Sequence, residues 1–143
     1  KSCFEEYRTL LFRKYMVDCA NLLADRINAD AICTGDALGQ VSSQTIYNIS
    51  AIDRYSKRPI LRPLIGTNKV EIISLSKEIG THDTSVIPHD DACALFAPKH
   101  PIIKPDLDYW DNFIDKNNLE DKLIEMLDSS ECYSIDVTGK IVD

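Results

Sequence analysis

Residues 31–45 read AICTGDALGQVSSQT, and they carry the clearest fold signal in the chain. The short apolar run at residues 31–34 ends at Gly35, which is typical of a buried parallel strand that closes in a turn. The polar segment from Leu38 to Ile52 predicts a helix. This strand–turn–helix step would place backbone N–H groups at the carboxyl edge of a parallel sheet, where open α/β sheets bind ligands.

Two glutamines near this predicted edge have side chains that suit recognition of a nucleobase. Gln40 and Gln44 are four residues apart, which predicts that they share one helix face. A glutamine amide both donates and accepts hydrogen bonds, which suits it to a nucleobase edge. Gly35, without a Cβ, allows a ligand to approach the backbone closely. A polar, capped helix start without a ligand explains the same residues, and both interpretations stay open from the residues alone.

The segments on either side complete an alternating pattern of helices and strands. Helical spacing predicts a helix over residues 3–28, and the run 59–64, which prolines bracket, predicts a second short strand. A third helix is predicted from Asn68 to Ile79, with Glu71 in the capping-box position. The pattern predicts an α/β fold with a parallel, Rossmann-like sheet flanked by helices.

The remaining residues predict a long loop and further helices. Residues 81–106 have no clean period, whereas residues 107–128 predict one or two helices with a break at Asn117-Asn118. Trp110 is interpreted as packing rather than as a base-stacking platform. Residues 132–137 predict a last strand. Two or three strands are fewer than the roughly four to six of a usual sheet, so we expect a second copy or a partner chain to cover the sheet and the first helix.

Composition and charge exclude several classes of protein. The chain has 143 residues, enough for one domain, and a net charge of −7, which argues against a broad nucleic-acid groove on this chain alone. No apolar run approaches the ~20 residues of a membrane-spanning helix. The start of the chain has charges throughout and does not resemble a signal peptide. We therefore expect a cytoplasmic protein without membrane contact.

The cysteines indicate a reducing compartment. Their number is odd and no two form a C-x-x-C pair, which argues against a disulfide framework and a zinc knuckle; they are Cys3, Cys19, Cys33, Cys93 and Cys132. Cys19 and Cys33 fall on apolar faces of predicted elements. Cys93 lies close in sequence to His89, Asp90 and His100, whose side chains are of types that bind zinc, but their spacing matches no closed zinc motif. An iron–sulfur cluster needs several neighbouring cysteines. No metal site is predicted.

Five segments, in order, resemble one protein family. They are LLFRKYM (10–16), TGDALGQVSSQT (34–45), NISAID (48–53), RPLIGTNKVEIISLSKEIGT (62–81) and TSVIPHDDACALFAPKHPIIKP (84–105). Together they resemble the tRNA 4-thiouridine synthetases, sulfurtransferases of the PP-loop ATP pyrophosphatase superfamily that also appear as a thiamine biosynthesis protein. The resemblance covers roughly residues 5–105.

The resemblance implies both a fold and a reaction. Residues 1–105 would form the C-terminal part of a PP-loop domain, of the adenine-nucleotide alpha-hydrolase type, and residues 106–143 a helical extension packed on the same domain. ATP, with Mg²⁺, would adenylate a tRNA uridine, and sulfur from a cysteine persulfide would displace AMP to give 4-thiouridine. The implied partners are tRNA, bound through regions outside this chain, and a cysteine desulfurase as sulfur donor, with a link to thiamine thiazole synthesis.

The resemblance also implies roles for four residues. Arg13, Gly35 and Gln44 match positions that contact ATP, and Cys93 matches the persulfide-bearing catalytic cysteine. A cation at Arg13 can neutralise phosphate charge, although without the resemblance a solvated helix residue is the simpler interpretation. Family members often carry two adjacent cysteines where this sequence has Ala92 and Cys93.

One family motif is absent from these 143 residues. The family's phosphate loop reads Ser-Gly-Gly-x-Asp-Ser, and this sequence contains no Gly-Gly pair. We therefore expect the chain to be inactive alone, as a fragment, as one half of a split enzyme or as a degenerate product. Two alternatives stay open: a related PP-loop enzyme with another substrate, and a non-catalytic or split-enzyme half that binds a partner carrying the phosphate loop.

Overall fold

The computed structural model describes residues 4–89 and 98–142, and its longest element is helix α1, Arg8–Ile27. A 3₁₀ turn at Glu5–Tyr7 precedes this helix, and Asn28 ends it in the left-handed conformation with φ 52°. Its buried residues recur at intervals of three and four, which forms one stripe along the helix: Leu10, Lys14, Val17, Asn21 and Ala24. Through this stripe α1 covers the rest of the core.

Two strands pair in parallel beside α1. Strand β1 is Ile32–Cys33 and strand β2 is Ile60–Leu61, with Ile32 opposite Ile60 in the register. The α/β fold with a parallel sheet is therefore confirmed. Within the described residues this sheet has two strands.

Helix α2, Ile46–Asp53, connects the strands and begins later than the predicted start at Leu38. Thr45 caps it, with its hydroxyl accepting from the backbone N–H of Asn48. A left-handed Gly39 and a 3₁₀ turn at Ser42–Gln44 precede the cap. Gln40 therefore lies in a turn, and the prediction that it shares a helix face with Gln44 is wrong.

Helix α3, Lys69–Glu78, has the predicted capping box. The Asn68 side chain accepts from the Glu71 N–H while the Glu71 carboxylate accepts from the Asn68 N–H. No residue of α3 is buried, and Val70 is 76% exposed. A short helix α4, His82–Ser85, then occupies the start of the predicted long loop.

Two further helices complete the core after residue 106. Helix α5 is Leu107–Lys116 and helix α6 is Glu120–Asp128, so the predicted break at Asn117 is confirmed. Trp110 is fully buried in a cluster with Tyr7, Leu10 and residues of α5. The interpretation of Trp110 as a packing residue is therefore confirmed.

The last predicted strand does not join the parallel sheet. Strands β3, Ser134–Ile135, and β4, Ile141–Val142, form a separate antiparallel hairpin whose residues are all exposed. The expected apolar burial of Cys33 is also wrong, because its side of β1 is uncovered and the residue is exposed, while Cys19 is half-buried. None of the helices in the described ranges is both long and apolar enough to cross a bilayer.

Candidate functional site

Polar side chains meet at the carboxyl ends of both parallel strands. Residues 34–36 follow β1 directly, and Arg62 follows β2. The parallel pairing continues past the end of β1, because the Thr34 N–H donates to the Leu61 carbonyl over 3.0 Å. Because parallel strands end at the same edge, Asp36 and Arg62 lie side by side, with Arg62 Nε 3.1 Å from Asp36 Oδ2.

The buried carboxylate of Asp36 accepts hydrogen bonds from four side chains. Its Oδ2 atom accepts from the Thr34 hydroxyl over 2.9 Å and from Arg62. Its Oδ1 atom accepts from Arg13 Nη2 over 2.6 Å and from Gln44 Nε2 over 3.3 Å. One carboxylate thus joins α1, the ends of both strands and the 3₁₀ turn before α2. We call these five residues, Arg13, Thr34, Asp36, Gln44 and Arg62, the Asp36 cluster.

Charge balance keeps the cluster ionised. Burial alone would raise the pKa of Asp36, but the charge of Arg13, with the Thr34 and Arg62 hydrogen bonds, outweighs burial and holds the pKa below its ordinary value. Burial would lower the pKa of Arg62, but its bonds to Asp53 and Asp36 outweigh that effect and raise the pKa. Two guanidinium groups therefore face two carboxylates.

Arg13 also holds the turn that carries Gln44. Its Nη1 atom donates to the carbonyl oxygen of Ser43 over 2.8 Å, and its side chain is 15% exposed. The simpler interpretation of Arg13 as a solvated helix residue is therefore wrong. Contact with Ser43 and Asp36 places the guanidinium beside Gln44, from which it is distant in sequence.

Open space lies beside the backbone of Gly35. Apart from its chain neighbours, a Cβ at this position would meet no atom of the described residues within 4 Å, and the φ of Gly35 is outside the left-handed region. This space leaves room for a ligand to approach the backbone between Thr34 and Asp36.

A second set of hydrogen bonds ties a later segment to the same turn. The buried Asn48 donates through Nδ2 to the carbonyl oxygens of Ser42 and Ile102, over 2.9 and 2.8 Å. Thr45 Oγ1 donates to the Ile103 carbonyl over 2.7 Å. Residues 102–103, which follow the cysteine-bearing segment in the sequence, thus pack against the start of α2.

The structure brings some of the predicted site residues together. Arg13 and Gln44 bond to one carboxylate oxygen, and Gly35 precedes that carboxylate in the chain. Cys93 lies outside the described residues. Among the residues that are described, no three His, Cys, Asp or Glu side chains are grouped as metal ligands would be.

Sequence reasoning missed Asp36 and Arg62. Each is a charged residue close to the end of a short strand: Asp36 lies two residues beyond the apolar run 31–34, and Arg62 lies within the predicted run 59–64, directly after the observed β2. Opposite charges at the carboxyl ends of two adjacent parallel strands are a signal for an ion pair, because those ends share one edge.

Comparisons with known proteins identify similar chains. The sequence model of the family described as "Thiamine biosynthesis protein (ThiI)" matches residues 1–119. A "Probable tRNA sulfurtransferase" of Finegoldia magna is 40% identical over 137 residues, which cover 94% of this chain and 34% of the relative. Its counterpart in Thermus thermophilus is 46% identical over 102 residues, which cover 71% of this chain and 25% of the relative.

A solved structure is similar in both fold and sequence. The crystal structure of a 4-thiouridine synthetase–RNA complex with bound ATP superposes with a TM-score of 0.80 at 34% identity, over 91% of this chain and 34% of that one. The present chain therefore spans between a quarter and a third of the length of these relatives.

Proposed function

Because this chain belongs to the thiamine biosynthesis protein (ThiI) family, as its sequence motifs predicted, we propose that it forms one side of the nucleotide site of an ATP-dependent tRNA sulfurtransferase. The observation that supports this most is the meeting of Arg13 and Gln44 at the carboxylate of Asp36, beside the open space at Gly35. The family resemblance implies contact with ATP for Arg13, Gly35 and Gln44.

The chemistry of the cluster suits an adenine nucleotide. Gln44 presents an amide to a nucleobase edge, and Gly35 gives a ligand access to the backbone N–H groups after β1. ATP supplies the adenylate that activates a uridine oxygen for displacement. Since Arg13 is already paired with Asp36, the phosphates need a further cation, which in this proposal is Mg²⁺.

Cys93 is proposed as the carrier of the sulfur that displaces AMP and gives 4-thiouridine. The packing of Ile102 and Ile103 against the turn with Gln44 supports this role, because it ties the segment that follows Cys93 to the nucleotide side of the sheet. A cysteine desulfurase would load the thiol, and the same sulfur would serve thiamine thiazole synthesis. Binding of tRNA is proposed for the longer protein, since this chain has a net charge of −7.

Titration calorimetry with ATP tests the nucleotide role. Gln44→Ala is expected to weaken ATP binding about tenfold or more, because a hydrogen bond within the site is lost. Gln40→Ala is the matched control, since it removes the same side chain from an exposed turn outside the cluster. Equal affinity in the two variants would remove Gln44 from the site.

A second candidate function is a non-catalytic or split-enzyme half that binds a polypeptide carrying the phosphate loop. The chain exposes 10459 Å² of surface, against roughly 7,400 Å² expected for a folded monomer of 16.1 kDa. The uncovered surface includes apolar residues on α3, where Val70 is exposed, and on the strands, where Cys33 and Leu61 are exposed. A parallel two-stranded sheet also leaves strand edges for a partner to pair with.

Sedimentation velocity distinguishes a second copy from another partner. If copies of this chain cover the apolar surface, the sedimentation coefficient will rise with protein concentration, and Val70→Asp will reduce the rise because a charge is then buried at the contact. The exposed Val137→Asp in the hairpin is the control. A monomer at all concentrations would contradict self-association.

A further inference from the structure

We propose that Asp36 is a positioning residue that fixes the Gln44 amide and the Arg13 guanidinium, and that through Gln44 it makes the site select a nucleobase bearing an exocyclic amine. This inference deepens the proposed function and rests on it for the identity of the ligand. The residues that act on the ligand remain Gln44, Arg13 and the backbone at Gly35.

The two oxygens of the Asp36 carboxylate have different tasks. Oδ2 is anchored to the sheet, because it accepts from Thr34 at the end of β1 and from Arg62 at the end of β2. Oδ1 accepts from the two residues expected to meet the nucleotide, Arg13 and Gln44. Anchoring of one oxygen fixes the plane of the carboxylate and therefore the direction from which Oδ1 receives its donors.

This arrangement determines which end of the Gln44 amide faces Asp36. An ionised carboxylate only accepts hydrogen bonds, so it orients the amide with Nε2 towards Asp36 and Oε1 away from it. The pairing with two arginines keeps the carboxylate ionised. An amide held in this orientation offers an acceptor to a ligand. It pairs with an amino group, as on adenine, and not with the carbonyl oxygen at the same position of hypoxanthine.

Asp36 also controls the turn that carries Gln44. Arg13 bridges Asp36 and the Ser43 carbonyl, so the guanidinium links the end of β1 to the residue before Gln44. The same carboxylate thus fixes both the side chain of Gln44 and the backbone that precedes it.

If Asp36 only stabilised the ion pairs around Arg62, loss of either carboxylate that bonds to Arg62 would have the same effect on Gln44. The second of these carboxylates is Asp53, whereas Arg13 and Gln44 bond to Asp36. Asp53→Asn therefore removes a carboxylate from the same network and keeps the contacts of Gln44. It is the matched control for Asp36→Asn.

Side-chain amide NMR tests the orientation without any ligand. The chain has two glutamines, Gln40 in an exposed turn and Gln44 in the cluster, so their two pairs of amide signals are assigned by single substitutions. We expect Asp36→Asn to move the Gln44 signals to the averaged position of Gln40, and Asp53→Asn to leave them in place. Unchanged Gln44 signals in Asp36→Asn would overturn the inference.

Titration with ATP and with inosine triphosphate then tests selectivity. The unsubstituted chain and Asp53→Asn are expected to prefer ATP by roughly tenfold to a hundredfold, and Asp36→Asn to lose most of this preference because its amide no longer orients Gln44. If Asp36→Asn keeps the preference, the positioning role is wrong. If the unsubstituted chain binds neither nucleotide although the NMR result holds, the proposed nucleotide function fails and the orientation of Gln44 by Asp36 stands.

A second variant serves if Asp36→Asn does not fold. Asp36→Glu keeps both charge pairs but moves the carboxylate by one carbon. It is therefore expected to fold, to shift the Gln44 signals and to lower the preference for ATP. A Glu variant with unshifted signals and full preference would contradict the inference.

Discussion

The rings of Tyr7 and Trp110 stack with their centroids 5.8 Å apart, although the two residues are far apart in the sequence. The Tyr7 hydroxyl also accepts from the backbone N–H of Asp106 over 3.1 Å, just before helix α5 begins. The contact joins the start of α1 to α5 in one aromatic cluster. The division of the chain at residue 105 stays a prediction, but the core that supports the candidate site includes residues on both sides of it.

Replacement of Trp110 is expected to destabilise the whole fold. Trp110→Ala should lower the free energy of unfolding by about 3–5 kcal/mol, because a large, fully buried ring leaves a cavity that the backbone cannot close. Urea unfolding followed by circular dichroism measures this. Tyr133→Ala, which removes an exposed ring from the hairpin, should change it by no more than ~0.5 kcal/mol. Equal losses in the two variants would show that the aromatic cluster is not the core.

Helix α3 is expected to open more readily than α1 and α5, which both bury residues. Helix α3 buries none, so its stability depends on local contacts such as the capping box. Asn68→Ala should cost α3 ~1 kcal/mol and raise the hydrogen-exchange rates of its amides about fivefold. Asn112→Ala, in the middle of α5, removes an asparagine that does not cap a helix and should leave α3 exchange unchanged. A partner that covers α3 should slow the same amides.

Local rules predicted the parts of the fold that depend on neighbouring residues. The capping box of Asn68 and Glu71 and the break at Asn117 were predictable because both depend on contacts within a few residues. The start of α2 was predicted too early because the polar run before it also suits a helix, while Thr45 as the cap and the left-handed Gly39 decide otherwise.

Long-range contacts set the limit of sequence reasoning at the candidate site. Arg13 was expected at the site through the family resemblance, and Gln44 through its amide chemistry as well as the resemblance, but nothing in their local sequence showed that they share a carboxylate. Asp36 and Arg62 acquire their partners only when β1 and β2 align in parallel. The exposure of Cys33 was mispredicted for a similar reason, since burial of a strand face depends on elements that lie elsewhere in the molecule.

Acid unfolding should depend on Asp36. The pKa of its carboxyl is lowered in the folded protein, so the stability it contributes is complete above the ordinary value of 3.8 and is lost as the pH falls through the folded pKa. At pH 7 we expect the free energy of unfolding of Asp36→Asn to be ~2–3 kcal/mol lower than that of the unsubstituted chain, because hydrogen bonds to a charged group are lost. This difference in free energy should become smaller below about pH 4.

Urea unfolding at several pH values measures this gap. Asp25 and Asp136 also have lowered pKa values, but they are present in both proteins, so the difference between the two curves isolates Asp36. A difference that stays constant from pH 7 down to pH 2 would mean that the Asp36 carboxylate is not paired in the folded chain.

The proposed sulfur carrier can be tested separately from nucleotide binding. Incubation with a cysteine desulfurase and free cysteine should add one sulfur atom to the Cys93 thiol, a modification that intact-mass spectrometry resolves. Thiolate character and access determine which cysteine accepts sulfur. Cys93→Ser should abolish the added mass, whereas Cys132→Ser, which removes an exposed thiol from the hairpin region, should retain it.

Because Cys33 is also exposed and lies at the end of β1, close in sequence to the Asp36 cluster, Cys33→Ser belongs in the same series. If Cys33→Ser abolishes the added mass and Cys93→Ser retains it, the thiol at the end of β1 is the carrier and the role proposed for Cys93 is wrong.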